Sequence, residues 1–287
     1  MNDKLRQKIE STLLPWNRNF KSFIFMLLLA TSNICNASIK TIALYPASKT
    51  EMPSHIVTRL CAQPGVNCEP DVTQAFVSKK KTLKVGALID SSSPQIAIFR
   101  LNQNGDWVLS YIANFANFKH SFTATLKVYD SPLTIYPALY PLGNDQWAVA
   151  VVGQISIPFA GGGAGIAVAD FVKVPHSSTS TTEEGKTIYK KIPFSCSKML
   201  SACFNKSDYT NSKHCHEESS GRLELSYSTG NKGSVVWHFR WHEVNWPPHV
   251  PQSQTITTVK SFKIRSDNGE VEQQNLSVDD ICGSLPF

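Results

Sequence analysis

From Val235 to His242 the chain sorts its side chains by parity. Val235, Trp237, Phe239 and Trp241 hold the odd positions, and Val236, His238, Arg240 and His242 the even ones. A period of two belongs to a β-strand that buries one face and leaves the other open. Gly221–Ser228 is a second such run, and Thr229-Gly-Asn-Lys-Gly233 between them supplies the glycines of a hairpin reversal. Gln95–Leu101 and Asp106–Ala113 flank Asn102-Gln-Asn-Gly105 and predict another hairpin. Lys119–Tyr129 alternates with His120, Phe122, Ala124, Leu126 and Val128 on one side, and strands are also expected over 39–45, 84–89 and 255–265.

Residues 146–157 and 166–174 are largely apolar and β-branched and read as two buried strands, with Pro158–Gly165 as a flexible glycine connection. Short helices are expected over Pro53–Leu60 with Ser54 as cap, from Asp71, and as one turn over Ser277–Ile281. The fold class is mainly β: antiparallel sheets, sandwich-like, with a few short helices. The polar, low-complexity stretch 176–187 reads as a linker between β-rich domains over 38–175 and 188–287.

The first residues point to export. Lys4, Arg6, Lys8, Arg18 and Lys21 precede the apolar run Phe23–Ala30, which is shorter than the ~20 residues a bilayer-spanning helix needs. Cys35 and Ala37 sit three and one before a cut, so residues 1–37 read as a signal peptide and the mature chain as starting at Ser38. A retained anchor is the competing reading. Bulky Ile34 argues against lipidation at Cys35.

Removing residues 1–37 leaves 23 basic and 20 acidic side chains, a balance of +3. With Lys79-Lys80-Lys81 as its basic run, the chain offers no case for nucleic acid. The cut also removes one of seven cysteines. Cys61, Cys68, Cys196, Cys203, Cys215 and Cys282 remain, an even set that an oxidising compartment pairs into three disulfides. Pro64-Gly65 can turn the chain between Cys61 and Cys68. The late four allow three connectivities; Cys196 with Cys203 repeats the first spacing and would leave Cys215 for Cys282.

Chemistry concentrates after Gly233. His238, Arg240 and His242 share the open face, and Trp246 and His249 follow in the next loop. A guanidinium fork, imidazoles and an indole suit a ligand or partner surface, so these five are the expected ligand-binding residues. His214 and His216 could chelate together, but His238 and His242 lie ~13 Å apart along a strand, so only one could join them. Cys215 reads as a disulfide partner rather than a ligand, and the expectation is no metal and no cofactor. No Gly-x-Ser-x-Gly elbow, His-Glu-x-x-His helix or nucleotide fingerprint occurs, and no catalytic residue is assigned.

The expected function is that of an exported, periplasmic or secreted binding protein that recognises a protein or glycan. An inhibitor or immunity protein of the bacterial envelope fits this reading. An envelope-polymer hydrolase built on Glu217, Glu218, Glu224 or Glu243 is one alternative. A membrane-active protein using the 148–174 glycine-rich hairpin is the other, and Pro158 with three consecutive glycines argues against insertion.

Overall fold

A computed structural model describes residues 39–66, 68–69, 72–80, 83–92, 94–121, 132–175, 185–230, 234–262 and 281–282. The signal segment 1–37, the alternating run over 122–129, the polar stretch 176–184, the turn residues 231–233, Asp71 and the helical turn over 277–280 lie outside them.

The chain is mostly antiparallel β-structure. Its strands are β1 (Ile42–Pro46), β2 (Thr73–Ser78), β3 (Val85–Asp90), β4 (Gln95–Leu101), β5 (Trp107–Asn114), β6 (Thr134–Gly143), β7 (Gln146–Phe159), β8 (Gly162–Lys173), β9 (Thr187–Ser201), β10 (His216–Thr229), β11 (Val235–Trp246) and β12 (Ile256–Phe262). Among the described residues two short α-helices join them, α1 (Ser54–Cys61) and α2 (Lys206–Asn211). The hydrogen-bonded order is β12-β11-β10-β9-β8-β7-β6-β1-β2-β3-β4-β5. Two meanders therefore meet at β1, which pairs with β2 through Leu44 opposite Ser78 and with β6 through Ile42 opposite Leu139.

Both expected hairpins are present, as β4–β5 and β10–β11. β7 and β8 have apolar residues on both faces because both faces are covered. Ala148, Ala150, Ala169 and Phe171 enter one core with Tyr189, Trp237, Phe239 and Trp241. Val149, Val151 and Val172 enter a second with Ile96, Ile98, Tyr111 and Phe115. A third core joins the other side of β3 and β4, through Leu88, Ala97 and Phe99, to Leu60 of α1. The strands β6 to β11 curl until their ends meet. Ser234 bridges Gly143, Trp237 Nε1 donates to the Pro141 carbonyl at 2.9 Å, and Tyr227 hydrogen-bonds Thr41 at 2.6 Å. Burial pushes the Tyr227 phenol up to about 12.

Four local expectations are corrected. The glycine connection is mostly strand: Gly162 pairs with Phe159, and Gly163 and Gly165 sit in ladders to β7 and β9. The reversal is confined to Ala160 and Gly161, where glycine accommodates a φ of 83°. Thr73–Ser78 is strand rather than helix, because β1 and β3 pair with it from both sides. Pro53, not Ser54, is the N-cap of α1, since its ψ of 150° leaves it outside the helix. The disulfides are Cys61–Cys68, as expected, with Cys196–Cys282 and Cys203–Cys215 in place of the repeated spacing.

The reason for the last difference is register. Ser201 lies opposite His216, so the ends of β9 and β10 bring Cys203 beside Cys215. Cys196, mid-strand and buried, is left facing the core, where Cys282 is also fully buried.

Candidate functional site

The odd residues of β11 are core, as their spacing predicts. Trp237, Phe239 and Trp241 are buried, and Glu243 joins them. Trp241 Nε1 donates to Glu243 Oε2 at 3.0 Å, and the Cys282 amide donates to the same oxygen at 3.2 Å. Glu243 thus serves the core as an acceptor, which removes it from the carboxylates available to a substrate.

The even residues form the open face. His238 lies opposite Ser226, Arg240 opposite Glu224 and His242 opposite Arg222. His238 Nε2 hydrogen-bonds Ser228 Oγ at 2.7 Å. Glu224 holds two neighbours at once, Arg240 Nη2 at 3.3 Å and His242 Nε2. The shared carboxylate sets the guanidinium and the imidazole side by side. Both of the strand histidines therefore have partners on this face, and neither reaches toward His214 or His216.

At the far end of the strand the face becomes a groove of about 350 Å³, lined by Met199, Glu218, Ser220, Val244, Trp246 and Gln252 among others. Trp246 is stacked flat on His214, with ring centroids 3.5 Å apart and planes 4° from parallel. Its Nε1 donates to the Val250 carbonyl at 3.2 Å. His249, at a φ of 64°, turns away from the strand and pairs its Nδ1 with Ser212 Oγ at 3.0 Å. Of the five expected ligand residues, His238, Arg240, His242 and Trp246 share one strand face, whereas His249 lies on the adjoining loop.

The acidic candidates separate. Glu217 pairs with Lys198 Nζ at 3.3 Å, on the opposite parity to Glu218 and Glu224. Glu218 and Glu224 share the open face but stand six strand positions apart, ~20 Å by strand rise. A glycosidase pair needs a separation of ~5–9.5 Å.

A serine, a histidine and an aspartate do meet elsewhere, but in the core. Asp170 accepts from the Ser121 amide at 2.8 Å, from Ser121 Oγ and from the Lys191 amide at 2.9 Å. His120 Nε2 donates to the Val151 carbonyl at 3.1 Å and stays 3.9 Å from Asp170. Burial pulls the His120 imidazole below its usual range, partly offset by the Asp170 charge. The serine bonds the carboxylate rather than the imidazole, and both His120 and Asp170 are closed to solvent. That geometry ties three segments together and cannot activate a nucleophile. An aspartate inside the apolar run 166–174 was the sequence signal for it.

One residue missed from the sequence is Glu218 as a companion of His214 and His216. The signal was present as His-x-His-x-Glu, a spacing that sends all three side chains the same way from an extended chain. Among the described residues no helix is long and apolar enough to cross a membrane. Comparisons with known protein families, with curated proteins and with solved structures find no match to this chain.

Proposed function

We propose that this chain is an exported binding protein, periplasmic or secreted, that docks a partner protein on the open face of β9 to β12. One observation carries the reading: Met199, Val236, Val244 and Val259 are 37–52 % exposed on the face that also presents His238, Arg240 and His242. Large apolar side chains grouped with arginine and an aromatic are the composition of a protein-binding patch. Three disulfides favour an oxidising compartment, and an inhibitor or immunity protein of the bacterial envelope is the role that suits such a chain. The groove beside Trp246 favours a second reading, a glycan, because an indole flanked by Ser197, Ser220, Gln252 and Thr255 suits a sugar ring.

The test is capture from an envelope extract on immobilised protein. Arg240→Ala and Trp246→Ala are each expected to weaken binding of the recovered protein about tenfold or more, the loss typical of central interface residues. Recovery of carbohydrate that only Trp246→Ala reduces would favour the glycan. Capture unchanged in both variants sinks the face.

A further inference from the structure

We propose that His214, His216 and Glu218 form a binding site for a divalent transition metal, with Zn²⁺ the ion that suits it. Each offers one donor atom, and the three donors lie within 4.8 Å of one another. The His214 side chain is 9 % exposed, yet its Nε2 is buried without a hydrogen-bond partner. Glu218 Oε1 is 3.7 Å from that nitrogen, beyond hydrogen-bond reach. With bonds of ~2.0–2.1 Å, two donors of a tetrahedral zinc ion stand ~3.3 Å apart, so the pair is spaced for a shared ion. A buried imidazole nitrogen left unpaired costs free energy, and an ion there would satisfy it.

The supporting shell is already in place. Trp246 fixes the ring plane of His214 by stacking. The His214 carbonyl accepts from the His249 amide at 2.8 Å and from Ser212 Oγ at 2.6 Å. Cys215, between the two histidines, is anchored to Cys203 and leaves the imidazoles to the other side of the chain. The His214 and His216 rings stand 5.7 Å apart at 70°, and a nitrogen of His216 already lies within 4.8 Å of the other two donors. Two imidazoles and a carboxylate select zinc over calcium or magnesium, which prefer oxygen alone. Three protein ligands leave a fourth position for water or for a donor from a bound molecule. Glu218 and Trp246 both line the groove, which places that position at its end.

The site does not depend on the partner reading, because affinity for the ion is measured on the protein alone. The experiment is competition for Zn²⁺ against a chromophoric chelator, using protein purified with its disulfides intact and without an affinity tag. One ion per chain is expected, with Co²⁺ giving the visible absorption of a four-coordinate site. Glu218→Gln and His216→Asn are partly exposed positions that should fold, as thermal melts would verify. Each should weaken Zn²⁺ binding at least about tenfold. Failure of the unaltered protein to bind Zn²⁺, or equal affinity in folded variants of both positions, overturns the site.

Discussion

Gly221 shows how one atom can control the C-terminal core. A Cβ there would lie 2.2 Å from Trp241 Cζ2 and 2.8 Å from Cys196 Sγ. Trp241 cannot retreat, since it is fully buried and its Nε1 is bonded to Glu243. Gly221→Ala should therefore cost about 3 kcal/mol, the upper part of the overpacking range. A urea unfolding midpoint equal to that of the unaltered protein would show that the indole has room to move. The same close approach explains why a glycine stands in the middle of β10, where glycine is otherwise unfavourable. On the open side the equivalent control is electrostatic: Glu224 sets Arg240 and His242, as His214 and Trp246 set one another.

At the scale of elements, β9 is tied by two disulfides, one just past its end to the start of β10 and one from mid-strand to Cys282. Cys203–Cys215 closes 12 residues of sequence over α2, and Cys196–Cys282 closes 86. On the loop-entropy account these contribute about 3 and 4–5 kcal/mol. Replacing both cysteines of the long closure by serine is expected to lower stability by more than replacing both of the short one. The ordering of the two urea midpoints checks this, and the reverse order would mean that the local closure governs the pair. The short closure also sets the entry into β10, so its loss should loosen His214 and His216 while leaving the open face of β11 in place. Asn205 closes α2 from the other side, accepting from the Asp208 amide in a reciprocal capping box.

Across the whole molecule, the described residues from Ile39 onward form one compact unit. The ladder between β8 and β9 continues on both sides of residues 176–184, from Val172 opposite Thr187 to Gly162 opposite Leu200. The second core likewise joins β1–β5 to β7 and β8. Shared cores and a shared ladder predict a single cooperative unfolding transition, with far-ultraviolet circular dichroism and tryptophan fluorescence coinciding. Two separated transitions would instead divide the chain near the polar stretch.

The sequence by itself determined the class of the fold, because strand parity and turn chemistry are local. It is why β11 could be assigned its buried and open faces residue by residue, and why β4–β5 and β10–β11 were legible as hairpins. It also determined the first disulfide, whose partners are seven residues apart around a Pro-Gly turn. The open face was legible for the same reason at His238, Arg240 and His242, whereas Trp246, expected in the following loop, instead ends the strand opposite Glu218. The tertiary structure alone decided what depends on register between distant strands. Among these are the pairing of Cys196 with Cys282, the covering of both faces of β7 and β8, and the meeting of Ser121, His120 and Asp170 in the core. It also decided that Glu243 turns inward to Trp241 while Glu218 turns toward His214. Such contacts arise when a sheet curls back on itself, and no spacing along one strand encodes where it will close.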